Sequence, residues 1–329
     1  MATAEQMKAL LTSHAEGDDS RFYAVAMQVA ASEAKRGHGD VALQLRDLID
    51  RAKLRGSSAR LHPTITPIAS PHGELADLLT ASYPTVRLSN MVLTPELGSR
   101  LERVLVEQRQ IGKLKANDLH PRQRLLFMGP PGCGKTMAAA ALAGELGIPL
   151  LVVRLDGLIT KYMGETSAKL RLIFEAVEKT RAVYLFDEFD SIGTQRGSGN
   201  DVGEARRILN SFLMFLERPL GTSLIVAATN HASSLDSALF RRFDDLLEFP
   251  QPDDILLERA IRNRLCGVKA LQKAKLNKAL EAAKGMSFGE VIKACDSAIK
   301  EAVLEDRVIQ IGGLVAAIED RRAFLTRTG

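Results

Sequence analysis

The chain has 329 residues, 46% apolar and 26% charged, with a net charge of +4. That length exceeds what one hydrophobic core usually organises and predicts about two or three domains, while the composition is that of an ordinary globular protein. The small net charge argues against a dedicated nucleic-acid coat but leaves room for a local basic surface, and no run approaches the ~18 apolar residues of a membrane span.

Met1 to Lys8 leads directly into an amphipathic pattern without an apolar stretch, so no secretory signal is expected. Residues 1–55 read as three helices. Met7, Leu10, Leu11 and His14 share a face of the first, and Phe22, Val25, Ala26 and Val29 mark the second behind Asp18-Asp19-Ser20. Val41, Leu45, Leu48, Ile49 and Ala52 mark the third. So short a module buries little core alone; it fits a docking module for a partner or substrate and equally a helical extension of the main domain. Residues 56–85 carry Pro63, Pro67, Pro71 and Pro84 among Ser and Gly and read as a linker, within which Glu74 to Tyr83 forms a candidate short helix.

From about Val86 strands and helices alternate. Leu125–Met128, Pro149–Leu155, Ala182–Phe186 and Ser223–Thr229 are candidate buried strands, with helices near 135–146, 166–180 and 203–217. This alternation predicts an α/β domain over 86–250, a parallel sheet with helices on both faces. Residues 251–329, beyond Pro250-Gln251-Pro252, read as helical throughout, with Phe288, Val291, Ile292, Cys295, Ala298 and Ile299 on one core-facing side. Cys133, Cys266 and Cys295 are scattered and suggest neither a disulfide framework nor a zinc site, which fits a reducing, cytoplasmic setting.

The run Gly129-Pro130-Pro131-Gly132-Cys133-Gly134-Lys135-Thr136 fills every fixed position of a G-x-x-x-x-G-K-T loop, between a strand and a helix. The glycines let backbone N–H groups turn around an anion, and the helix N-terminus adds favourable partial charge. Lys135 would reach the β- and γ-phosphates, the Thr136 hydroxyl would ligate Mg²⁺, and Met137 completes the nucleotide-contacting run. The chain is therefore expected to bind a nucleoside triphosphate with Mg²⁺.

Next, Val183-Tyr184-Leu185-Phe186-Asp187-Glu188 is a buried strand delivering two carboxylates at its C-terminal end, where ligands of open α/β sheets sit. Asp187 would hold Mg²⁺ and Glu188 would polarise the water attacking the γ-phosphate. The strand Ala227-Ala228-Thr229 ends in Asn230, a candidate γ-phosphate sensor.

These elements, followed by Leu235-Asp236-Ser237-Ala238-Leu239-Phe240-Arg241-Arg242-Phe243-Asp244, resemble the AAA subgroup of AAA+ ATPases over residues 86–325. The resemblance implies ATP as the nucleotide, a five-stranded parallel core with a small helical lid, and a homo-hexameric ring. In it Arg241 and Arg242 would act as arginine fingers on the neighbouring subunit's phosphates. Lys161-Tyr162-Met163-Gly164-Glu165-Thr166 resembles the first pore loop of unfoldases in this subgroup, so Tyr162 and Met163 would grip a threaded polypeptide; the alternative packs Tyr162 into its own domain. Arg196 and Gly197-Ser198-Gly199 fall where a second pore loop would lie. In Gly285-Met286-Ser287-Phe288-Gly289-Glu290 relatives usually read G-x-S-G-x-D against the base or ribose; Phe288 replaces the glycine and Glu290 the aspartate, and Phe288 is assigned to the helix core.

The expected function is thus an ATP-driven protein remodeller. The catalytic block also resembles bacterial AAA ATPases that partner subtilisin-like serine proteases in plasmid-maintenance or defence modules; this chain carries no H-E-x-x-H of its own. The alternatives are a nucleic-acid remodeller, disfavoured by the modest charge and the absence of Trp, and an ATP-gated assembly scaffold.

Overall fold

In a computed structural model of the protein the described residues are 25–30, 71–158, 165–192, 201–235, 237–266 and 275–328. The chain divides into two compact units, Met1–Pro67 and Ile68–Gly329. In the first, residues 25–30 are helical, within the expected second helix, and Val29 and Ala30 are buried. The rest of the three-helix expectation, the pore-loop residues Tyr162 and Met163, the segment Arg196 to Gly199, and Asp236 lie outside the described residues.

The second unit begins with helix α1 (Glu74–Leu78) and strand β1 (Leu79–Ser82), followed by α2 (Pro95–Arg109). Strand β2 (Arg124–Met128) then leads into α3 (Lys135–Leu146), β3 (Leu150–Val153), α4 (Glu165–Lys179), β4 (Val183–Phe186), α5 (Asp201–Leu216), β5 (Leu224–Thr229) and β6 (Asp245–Glu248). The C-terminal part is helical: α6 (Asp254–Arg264), α7 (Asn277–Ala283), α8 (Phe288–Leu304) and α9 (Ile311–Thr328).

The six strands form one sheet in the order β1-β3-β4-β5-β2-β6. Five are parallel, as expected, and β1 adds an antiparallel edge by pairing Leu79 with Val153 and Ser82 with Leu150. The segment expected to be one short helix from Glu74 to Tyr83 is therefore helical only to Leu78. Its short second half, in which apolar Leu79 and Ala81 alternate with Thr80 and Ser82, suits an edge strand, which has one partner and needs no continuous apolar run. Strand β6 was likewise absent from the sequence-based strand set, and its residues Asp245-Leu246-Leu247-Glu248 are also those of an edge.

Side chains alternate across the strands, so one sheet feeds two cores. Leu125 and Phe127 of β2, Val183 and Leu185 of β4, and Leu224 and Val226 of β5 face α2 and α3. Helix α3 presents Ala138, Ala139, Ala141, Leu142 and Ala143, all buried, and these small residues let it lie close to the sheet. Leu126, Tyr184, Phe186, Ile225 and Ala227 face α4 and α5 on the other side. There Phe212 meets Phe174, Phe186 and Phe189 with ring centroids 5.7, 5.0 and 4.7 Å apart, separations usual for edge-to-face and tilted aromatic pairs. The C-terminal helices enclose a third cluster built on Leu257, Ile261, Val291, Cys295, Leu314 and Ile318. Burial there pushes the Cys295 thiol up to about 11, so it stays a neutral apolar residue at physiological pH.

Candidate nucleotide site

The site is assembled at the C-terminal ends of β2, β4 and β5, which are neighbours in the sheet. Residues 129–134 join β2 to α3. Gly129 adopts φ +146°, and a Cβ there would lie 2.1 Å from the Phe249 carbonyl oxygen, so only glycine lets the loop leave the strand so close to its neighbour. Lys135, the first residue of α3, is 6% exposed and its ammonium donates to Gly129 O at 2.7 Å, Pro130 O at 2.9 Å and Asn230 Oδ1 at 2.8 Å. All three N–H donors are thereby used on oxygens, the geometry of a group built to hold phosphate oxygens in their place. Burial lowers the Lys135 pKa, while Cys133, Asp187 and Asp190 oppose that fall through their charges.

Asp187 and Glu188 follow directly on the fully buried strand β4. Asp187 Oδ2 accepts the Thr136 hydroxyl at 2.6 Å, and Asp187 Oδ1 accepts the Glu188 N–H at 2.9 Å. A hydroxyl and a carboxylate side by side are hard oxygen donors of the kind Mg²⁺ takes, so these two residues fit the ion the loop implies. Among the described residues no group of three or more His, Cys, Asp or Glu forms a separate metal cluster. Glu188 is exposed and has φ +50°, a conformation that costs an L-residue about 1–3 kcal/mol and collects at functional sites.

Sequence reasoning passed over Asp190, a buried carboxylate (9% exposed) in the turn after β4. Its Oδ1 accepts the Thr229 hydroxyl at 3.0 Å and the Asn230 N–H at 3.3 Å. It therefore fixes the end of β5 against the turn that carries Glu188, and Asn230 in turn reaches Lys135. The available signal was an acid directly after the apolar Phe189 in a turn that follows a buried strand, where a carboxylate needs a partner.

Pro131, Gly132, Lys135, Thr136, Asp187, Glu188 and Asn230 line one cleft of about 450 Å³, together with Met137, Phe288 and Ile292. An adjoining cleft of about 380 Å³ includes Cys133 and Met137 in its wall. Cys133 is buried and its thiol is raised by desolvation, opposed by Lys135, so it is not an activated thiolate. Arg241 and Arg242 do not line either cleft. Both are exposed in the turn before β6, and Arg242 forms an ion pair with Glu217 of its own chain.

The lid assignment of Phe288 requires correction. Val291, Ala294, Cys295 and Ala298 fill the helical core, whereas Phe288 and Ile292, one turn apart, face the two clefts. The stripe read as one apolar face is split between two neighbours, because the N-terminal turn of α8 lies against the phosphate loop. The Gly289 N–H donates to Gly132 O at 3.0 Å. Glu290 faces away from this contact and pairs with Lys293 and Arg321.

Residues 125–251 match the family described as ATPase family associated with various cellular activities (AAA). Over 308 residues the chain is 36% identical to an AAA family ATPase, y4kL, of Sinorhizobium fredii, an alignment covering 93% of this chain and 91% of that protein. The chain belongs to the AAA family of ATPases. Two further similarities cover a smaller share of this AAA ATPase. It is 34% identical over 189 residues to Protein SAV of Sulfolobus acidocaldarius, covering 56% of this chain and 24% of that protein. It is 37% identical over 160 residues to the AAA domain-containing protein C16E9.10c of Schizosaccharomyces pombe, covering 46% and 20% respectively. In the AAA ATPase no helix among the described residues is long and apolar enough to cross a membrane.

Proposed function

We propose that this AAA ATPase hydrolyses ATP with Mg²⁺ and works as a cytoplasmic homo-hexamer that remodels, unfolds or threads a protein substrate. The observation that carries the catalytic part is the convergence of Lys135, Thr136, Asp187, Glu188 and Asn230 on one cleft between the ends of three adjacent strands. Lys135 exchanges its loop and Asn230 contacts for the β- and γ-phosphate oxygens. That exchange frees Asn230 Oδ1 to orient the attacking water, and the exposed Glu188 carboxylate accepts that water's proton. Thr136 and Asp187 are the residues that would hold Mg²⁺, which supplies charge neutralisation on the phosphates. Arg241 and Arg242, exposed and outside their own cleft, are the fingers offered to the next subunit's site.

Tyr162 and Met163 are assigned to gripping the substrate chain, and residues 1–55 to docking a substrate or a partner. A separate serine protease is the partner this reading supports. The test is Glu188→Gln. Turnover should be abolished, with ATP bound as tightly as by wild type, and the variant should sediment as a hexamer with ATP. A variant that stays monomeric with ATP would reject the ring, and one that turns over normally would reject the role of Glu188. Mixing Arg241→Ala/Arg242→Ala subunits with Lys135→Ala subunits should restore some hydrolysis; no rescue would reject fingers acting across the interface.

A further inference from the structure

The turn that carries Arg241 and Arg242 stands at the far end of the sheet from its own phosphate loop. Strands β2 and β6 are parallel, with Leu125 opposite Asp245 and Met128 opposite Glu248. Residues 239–244 lead into β6 and so lie beside the start of β2, whereas the phosphate loop leaves its end. At about 3.3 Å per residue, the five steps from Arg124 to Gly129 put ~16 Å between the two.

Arg124, the first residue of β2 and half-buried, ties three segments together at that end. Its Nε donates to Leu216 O at 2.6 Å and one terminal nitrogen donates to Arg218 O at 3.1 Å. These carbonyls lie at the C-terminal end of α5, where a helix leaves acceptors without partners of its own. The other terminal nitrogen lies 3.7 Å from Asp244 Oδ1, and Asp244 Oδ2 accepts the N–H groups of Gln123 and Arg124 at 2.8 and 2.9 Å. The Arg242–Glu217 ion pair adds a second tie between the finger turn and the end of α5. On the inner side Leu239 and Phe243 are buried in the core that α4 and α5 share with the sheet. The turn is thus fastened on two sides while Arg241 and Arg242 stay exposed. None of the clasping residues lines the cleft of Lys135 and Glu188.

We propose, resting on the finger reading above, that Arg124 is a positioning residue for the arginine fingers. By joining the end of α5 to Asp244 it sets where Arg241 and Arg242 stand, and so acts on hydrolysis in the neighbouring subunit and not in its own. A guanidinium suits this work because its donors leave a rigid plane in fixed directions and hold three partners at set angles, which a lysine ammonium does not. A finger contributes about 10³–10⁵ to turnover, and a shift of ~1 Å in a positioned group costs ~100-fold, so a loosened turn is felt as lost rate.

Steady-state phosphate release from mixed full-length subunits tests this. Arg124→Ala alone should lose about 100-fold in kcat with KM within about threefold of wild type. Mixing it with Lys135→Ala should recover at least ~10-fold of that loss, because one variant keeps its ATP cleft and the other its finger turn. Mixing it with Arg241→Ala/Arg242→Ala should recover nothing, since neither supplies a fixed finger. Arg124→Lys, which keeps the charge beside Asp244 without the fork, should show the same pattern with a smaller loss and carries the test if Arg124→Ala misfolds. Wild-type turnover in both Arg124 variants would overturn the role of Arg124, as would rescue by Arg241→Ala/Arg242→Ala subunits or, where Arg241→Ala/Arg242→Ala is itself rescued by Lys135→Ala, no rescue of Arg124→Ala by Lys135→Ala. Failure of that control mixture would overturn the finger reading and this inference with it.

Discussion

Asp190→Ala should separate holding the site in register from forming the fold. Asp190 Oδ1 accepts the Thr229 hydroxyl at 3.0 Å and the Asn230 N–H at 3.3 Å, and removing it orphans two donors in a buried turn. Hydrogen bonds to a charged group contribute about 1.5–3 kcal/mol each. The second bond is long and both share one oxygen, so the two do not add fully and the expected loss is ~3 kcal/mol. Against a typical stability of about 5–15 kcal/mol, the chain stays folded. Catalysis should suffer more than binding. The loop carbonyls that hold Lys135 are untouched, so ATP affinity should move less than about threefold. Asn230 loses its backbone anchor, and a displacement of ~1 Å at a positioning group costs ~100-fold in rate. Asp190→Asn keeps an oxygen acceptor in place and should recover most of both stability and turnover. The chain has no tryptophan, so urea unfolding is followed by far-ultraviolet circular dichroism, alongside steady-state phosphate release and ATP titration. Wild-type turnover in Asp190→Ala would refute the reasoning. Equal damage in Asp190→Asn would show that the charge, not the acceptor geometry, is what matters.

Two further perturbations probe the join between the phosphate loop and α8, and the helices behind it. Gly132→Ala places a methyl group 2.4 Å from Ser287 Oγ at φ +77°, adding ~1–2 kcal/mol of backbone strain to a clash, and should weaken ATP binding at least ~10-fold. Adding Ser287→Gly relieves only the clash and should recover part of that loss; ATP affinity equal to wild type in Gly132→Ala would contradict the close approach. The Arg321 guanidinium hydrogen-bonded to Glu290, with Lys293 adding to it, holds the Glu290 carboxyl below the usual carboxylate range. The folded-state pKa therefore lies below the unfolded value of about 4.3, so the pair stabilises above that value and its contribution is lost as pH falls through the folded one. Arg321→Gln should flatten the acid side of a urea-midpoint profile measured between about pH 3 and 6, and an unchanged profile would remove Glu290 as its source.

What could be read in the sequence, and what could not, follows from which forces are local. Strands β4 and β5 are buried along their whole length, so they appear as unbroken apolar runs, and the residues following them fall at strand ends by necessity. The edge strands β1 and β6 escaped because an edge needs little apolar run. β6 is instead tied down by partners distant in sequence, with Asp245 paired to Arg100 and Arg122. The same limit explains Phe288 and Asp190. A 3.6-residue period shows that Phe288, Val291, Ile292 and Cys295 occupy a wide apolar stripe, but not that two different elements stand opposite it. Nor does the sequence place Asp190 beside Thr229, since that contact depends on β4 and β5 being neighbours in the sheet. Residues whose place is set by their own strand or loop were legible, and those that join two elements were not. The joining residues are therefore where substitutions should disturb how neighbouring elements meet at the site while leaving each element's own structure intact.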